Sequence, residues 1–186
     1  MKIAILGWGS LIWDPQGLAY EGNWRTGGPN LPVEFSRISS DGRLTLVIDR
    51  NNGQIVSTQY TTSTLTTLAD AVENLHHREK TSVENIGFID LQNQNSHSRH
   101  NDLVVQLKSW AQENDFDAVI WTDLPSKFEI GGKAVPFSVN TAVDYLQGLS
   151  GETADKAREY IAKAPEEVDT PVRRKIQMIG WLKEGT

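Results

Sequence analysis

Cysteine is absent from the chain, which excludes disulfide bonds, thiolate metal sites and a cysteine nucleophile. Long apolar runs are missing as well. No stretch approaches the roughly 20 residues needed to span a bilayer, and the short N-terminal run, broken at Gly7, lacks the length and cleavage site of a signal peptide. The expectation is a cytoplasmic protein with no membrane partner. Basic charge is in deficit, with 18 lysines and arginines against 24 aspartates and glutamates. The resulting formal charge of −6 opposes the long-range attraction on which non-specific nucleic-acid binding depends, so no nucleic-acid partner is expected. No repeat, low-complexity segment or compositional break divides the 186 residues, and a single domain over 1–186 is expected.

What is present begins at Ile3-Ala4-Ile5, an apolar run that opens directly into Leu6-Gly7-Trp8-Gly9-Ser10-Leu11-Ile12-Trp13. A buried strand leading into glycine and serine can present backbone amides to an anionic or carbonyl ligand. The other reading is a tight glycine turn that lets a strand leave its sheet. The third glycine of a dinucleotide fingerprint and the lysine of a P-loop are both missing.

Strands dominate the first third. Met1 to Leu6 is apolar, and Pro32–Ile38 and Arg43–Asp49 alternate around Ser39-Ser40-Asp41-Gly42, whose Asp-Gly pair suits a hairpin. A turn at Asn51-Asn52-Gly53 leads to an expected strand over Gln54–Thr61, while Pro15–Pro29 reads as a long loop. An amphipathic helix is expected from Ser63 to Lys80, capped at Thr62 or Ser63, then a strand over Ile86–Leu91 and a polar loop over Gln92–Asn101. A helix over Asp102–Glu113 and a strand at Ala118–Trp121 follow. From residue 138 the pattern is helical. One helix is expected from a Thr153 cap to Lys163, and the last begins at Thr170-Pro171 and closes at Gly185. The fold class expected is α+β, strands first and helices later.

The helix ending at Lys80 carries the second informative feature. At 100° per residue from Leu65, Leu68 lies at about 300°, Val72 at about 340°, Leu75 at about 280° and Glu79 at about 320°. Glu79 therefore falls inside the apolar stripe, whereas Asp70, Glu73 and Asn74 fall on the opposite, solvated side. Desolvation of a carboxylate raises its pKa and suits it to general acid/base work. Alternatively Glu79 occupies a frayed last turn and pairs with Arg78 or Lys80.

Together the two features resemble a known family. Gly7-Trp8-Gly9-Ser10-Leu11-Ile12-Trp13 is similar to the Tyr-Gly-Ser-Leu-Ile-Trp loop of the γ-glutamylcyclotransferase-like superfamily, in particular its glutathione-degrading ChaC branch. Asn74-Leu75-His76-His77-Arg78-Glu79-Lys80 is similar to that branch's Tyr-Leu-x-x-Arg-Glu-Lys segment, and the strands around Phe35-Ser36-Arg37, Gly42–Val47 and Gln54–Tyr60 match in order. The resemblance covers about the first half of the chain. It implies a small mixed β-barrel or sheet with flanking helices, in which amides around Gly9, Ser10 and Leu11 anchor a γ-glutamyl group. Gly7, Trp8, Ile12 and Arg37 join the substrate-binding set, and Glu79 is the general acid/base. The implied reaction releases 5-oxoproline and an amine with neither metal nor cofactor. A non-catalytic binding module of the same fold and a γ-glutamyl acyl or amide transferase are the alternatives. Trp8 stands where the family has tyrosine, and Thr81-Ser82-Val83-Glu84-Asn85 replaces its Gly-Gly-Tyr, which argues against ordinary glutathione turnover.

Other residues carry weaker signals. His97, His100 and Asp102 have no recognised metal-ligand spacing. His76 and His77 are expected to flank Glu79 or to be solvated, and Trp110, Trp121 and Trp181 to be core. Ser10 lacks the Gly-x-Ser-x-Gly elbow of a serine nucleophile.

Overall fold

The structure, a computed structural model, describes residues 1–183. Along the chain run β1 (Ile3–Gly7), β2 (Tyr20–Arg25), β3 (Asn30–Ile38), β4 (Leu44–Ile48), β5 (Gln54–Ser57), β6 (Gln59–Ser63) and helix α1 (Leu68–Glu79). Strands β7 (Ile86–Asp90) and β8 (Asn95–His97), helix α2 (Val104–Glu113) and strand β9 (Ala118–Thr122) follow. The short strands β10 (Glu129–Ile130) and β11 (Lys133–Ala134) lead to α3 (Val139–Gln147), α4 (Gly151–Lys163) and α5 (Pro171–Met178). The fold is α+β, its strands arranged in three sheets. Among the described residues no helix is long and apolar enough to cross a membrane. Two compact units share the chain: Met1–Asn30 with Ser57–Leu124, and Leu31–Val56 with the chain from Pro125 onward.

The first unit is a six-stranded sheet in the order β2-β6-β1-β9-β7-β8. Its centre is β1, antiparallel to β6 and parallel to β9, and every residue of β1 is buried, as its unbroken apolar run requires. Ile3 and Ile5 of β1 with Ala118 and Ile120 of β9 pack against Ala71, Val72 and Leu75, the apolar stripe of α1. Of the barrel or sheet implied by the resemblance, no closed barrel occurs among the described residues: β2 and β8 end an open sheet.

Both edges fall where loops were expected. β2 lies inside Pro15–Pro29 and β8 inside Gln92–Asn101, each taking its backbone partners from one neighbour, β6 or β7. Gly22 at φ +72° and a register shift between Glu21 and Arg25 explain why β2 shows no alternation. Helix α1 begins at Leu68, later than expected, because Thr62 and Ser63 are committed to β6. Its cap is Thr67, whose Oγ1 accepts from Asp70 N at 3.2 Å. The expected strand Gln54–Thr61 is two strands, broken at buried Thr58, whose Oγ1 donates to Pro29 O at 2.8 Å.

The end of α1 positions the candidate site. Lys80 takes a left-handed φ of +50°, the Lys80 amide donates to His77 O at 3.2 Å and the Thr81 amide to His76 O at 3.3 Å. This reciprocal pair is a Schellman closure, which stops the helix immediately after Glu79.

In the second unit β3 lies between β4 and β5. The β3–β4 hairpin turns at the expected residues, with Gly42 at φ +80°. Helix α4 starts at Gly151, ahead of the expected Thr153 cap. Helix α5 starts as expected, with Thr170 as cap and Pro171 in its first turn, but ends at Met178; Gly185, expected to close it, lies outside the described residues.

Glu34, fully buried in β3, accepts from the Phe35 amide at 2.7 Å and from the Val172 amide in the first turn of α5 at 3.3 Å. Burial pushes its carboxyl above the ordinary 4.5 despite these bonds and one from Thr170. Burial also works against Asp49, but hydrogen bonds from Ser36, Asn52 and Asn51 outweigh it and hold that carboxyl below 3.8. The two signs differ. A carboxyl raised by folding contributes stability that is complete below 4.5 and is lost as pH climbs through its folded value. A lowered one contributes stability present above 3.8 and lost on acidification. Guanidinium midpoints are therefore expected to fall as pH rises above about 4.5, and Glu34→Gln to flatten that decline. A decline that is unchanged in the variant assigns it to other groups.

Candidate functional site at the β1 loop and the end of α1

Beyond β1 the chain folds into consecutive turns, with the Ile12 amide donating to Gly9 O at 3.0 Å and the Asp14 amide to Ser10 O at 2.8 Å. The amides of Gly9, Ser10 and Leu11 form no hydrogen bond among the described residues. Three successive donors without internal partners are open to an anionic or carbonyl acceptor.

The other motif residues divide by role. Gly7 still belongs to β1, paired with Gln59 of β6. A Cβ there would lie 2.7 Å from Trp24 Cζ3, so close approach of the Trp24 ring requires glycine at this position. Trp8 and Leu11 are buried, and Leu11 joins the core beneath α1. Their side chains hold the loop in place, leaving Gly9, half-buried Ser10 and half-buried Ile12 as its accessible part.

Arg78 joins this loop to Glu79. Its guanidinium donates through Nη1 to Glu79 Oε1 at 2.6 Å, and through Nη2 to Ser10 Oγ at 3.3 Å and Asp14 O at 2.5 Å. The planar fork of arginine suits such divergent acceptors, and its charge strengthens each bond. The Arg78 side chain is 6% exposed and that of Glu79 14%, so the pair is largely withdrawn from water. Both expectations for Glu79 meet here: it follows the buried stripe of α1 and it pairs with Arg78. Glu79 Oε2 has no hydrogen bond among the described residues, and Arg78 Nε is buried without a partner. A buried donor without a partner is a group that a ligand would satisfy.

Asn74 fastens the same loop farther along, accepting from the Ala19 amide at 2.8 Å and donating to Gly17 O at 3.0 Å. Helical spacing had placed it on the solvated side. Neither its role nor that of Arg78 leaves a trace in hydrophobic periodicity, since both act on a segment distant in sequence. The adjacency of arginine and glutamate at a helix end was the one available signal.

Arg37 belongs to the second unit, where it faces Thr45 across the β3–β4 pair and donates to Pro125 O at 2.9 Å. The histidines next to Glu79 turn elsewhere: His76 Nε2 and His77 Nε2 lie 3.2 and 2.8 Å from Glu73 Oε1. His97 Nε2 contacts Glu84 O at 3.0 Å, and His100 Nε2 lies 3.8 Å from Asp123 Oδ1. Trp110, Trp121 and Trp181 are buried, as expected.

No protein-family model and no curated protein sequence matches the chain.

Proposed function

We propose that this chain is a cytoplasmic enzyme of the γ-glutamylcyclotransferase-like fold that cyclises a γ-glutamyl amide. The observation that carries the proposal is the Arg78 bridge, in which one guanidinium donates to both Glu79 Oε1 and Ser10 Oγ. In this mechanism the amides hold the substrate's carboxylate or its polarised γ-carbonyl, where fixed donors stabilise developing negative charge. Glu79 takes a proton from the substrate's α-ammonium group through Oε2, the oxygen that Arg78 leaves open. The freed amine attacks the γ-carbonyl of the same molecule, forming the C–N bond of a five-membered lactam. The tetrahedral intermediate collapses by breaking the original amide C–N bond, and Glu79 returns the proton to the departing amine. The products are 5-oxoproline and a free amine, and no enzyme nucleophile takes part.

The test is to incubate the protein with a panel of γ-glutamyl peptides and amines and to measure 5-oxoproline. Wild type is expected to release it from at least one substrate, and Glu79→Gln to reduce turnover by about 100-fold or more, the scale of a lost general acid/base. Equal turnover by the variant removes Glu79 from the mechanism. A second reading is favoured by the Arg78–Glu79 contact at 2.6 Å, which already engages one carboxylate oxygen: a module that binds γ-glutamyl compounds without turning them over. Saturable substrate binding with no 5-oxoproline from any panel member selects that module.

A further inference from the structure

In the last two turns of α1, exposed Glu73, half-buried His76 and exposed His77 bring their ligand atoms within 4.8 Å of one another. Glu73 Oε1 faces two imidazoles at once, His76 Nε2 at 3.2 Å and His77 Nε2 at 2.8 Å, and the two rings lie 4.2 Å apart between centroids. The spacing explains the convergence: residues three and four positions after Glu73 share its helix face.

His76 is the informative member. Its Nδ1 lies 2.9 Å from the Thr81 carbonyl oxygen, one residue past the left-handed Lys80. A carbonyl only accepts, so Nδ1 carries the hydrogen. Nε2 then faces an anionic carboxylate that also only accepts. A neutral imidazole has one N–H and cannot donate to both sides, so with Nδ1 on the Thr81 carbonyl the Nε2 lone pair faces the Glu73 carboxylate, where a bound cation would bridge the two. Histidine metal ligands commonly donate their second ring nitrogen to a backbone carbonyl, the arrangement Thr81 provides here.

We propose that Glu73, His76 and His77 form a binding site for a borderline divalent transition-metal ion, of which Zn²⁺ is the representative. Two imidazoles and one carboxylate suit this class, whereas Ca²⁺ and Mg²⁺ take oxygen-rich shells. In a tetrahedral site ligand atoms stand about 3.4 Å apart, so small rotations of the exposed Glu73 and His77 side chains close the set, with water as the fourth ligand. The three residues lie outside the proposed cyclotransferase machinery, and the metal site stands whether or not that activity is found. It does share its helix turn with Arg78 and Glu79, so metal occupancy would stiffen the segment that presents them.

The test uses the untagged, metal-free full chain. Titration with Co²⁺ at pH 7.5 is expected to give one equivalent of bound metal with the visible absorption of a tetrahedral or five-coordinate site, displaced by Zn²⁺. His76→Ala and Glu73→Gln are each expected to weaken Zn²⁺ affinity by at least about tenfold, and Glu73→Gln, at an exposed position, to leave circular dichroism unchanged. Absence of Zn²⁺ binding up to millimolar concentration overturns the proposal. So does equal binding by wild type and His76→Ala, which would place the ion elsewhere, such as at His97 or His100.

Discussion

Arg78→Ala is expected to lower the folding stability of this protein by about 3 kcal/mol, the scale for removing one partner of a largely buried ion pair. The guanidinium makes three hydrogen bonds, and its loss strands the Glu79 carboxylate, 14% exposed, without a cation while freeing Ser10 and Asp14. Denaturant midpoints measure the loss. A double-mutant cycle identifies its cause: if the stranded charge dominates, Arg78→Ala with Glu79→Gln is less destabilised than Arg78→Ala alone. Arg78→Lys keeps the charge but offers one ammonium to acceptors on two segments, and is expected to recover only part of the stability. A single variant within about 0.5 kcal/mol of wild type, the range of ordinary surface substitutions, would mean that Arg78 does not tie the loop to the helix.

This link shows how far the sequence could be followed. Glu79 was legible because it interrupts a stripe made by Leu68, Val72 and Leu75, and periodicity is preserved through the last turn of α1 until Lys80 closes it. The hairpin at Ser39–Gly42 and the start of α5 at Thr170-Pro171 were legible for a similar reason: each is specified by residues adjacent in sequence. What could not be read depends on distant partners. β2 borrows its backbone bonds from β6 and has no pattern of its own. Gly7 is glycine because Trp24 packs on it, and the local context offered only a turn. The break at Thr58 divides an apparently continuous strand, because that residue bonds to Pro29 instead of continuing the ladder. Arg37 lies in the expected strand, but that strand is buried almost throughout instead of alternating and belongs to the other unit.

Gly87→Ala is the second substitution with a large expected effect. Gly87 of β7 is paired with Trp121 of β9, and a Cβ on Gly87 would lie 2.1 Å from Cε2 and 2.4 Å from both Cζ2 and Nε1 of the indole. These atoms belong to a rigid, fully buried ring, so the conflict is not relieved by swinging a flexible side-chain end. Overpacking of a closed core costs about 1–3 kcal/mol and occasionally more, and this position belongs at the upper end of that range. Trp121→Phe provides the internal check. The indole Nε1 is buried without a partner, so phenylalanine forfeits no hydrogen bond and removes part of the ring edge that stands over Gly87. Alone it is expected to cost about 1–2 kcal/mol through the space it leaves. Combined with Gly87→Ala it should be destabilised by at least about 1 kcal/mol less than the sum of the single variants, because each substitution fills or empties the same volume. Strict additivity would show that the two residues do not compete for that volume. The pair matters beyond the sheet because α1 packs on β7 and β9. A shift of these strands displaces the helix whose last turn carries both Arg78 and Glu79, so the Gly87→Ala variant is also expected to lose the proposed 5-oxoproline release although the substitution lies in the sheet and not at the proposed site.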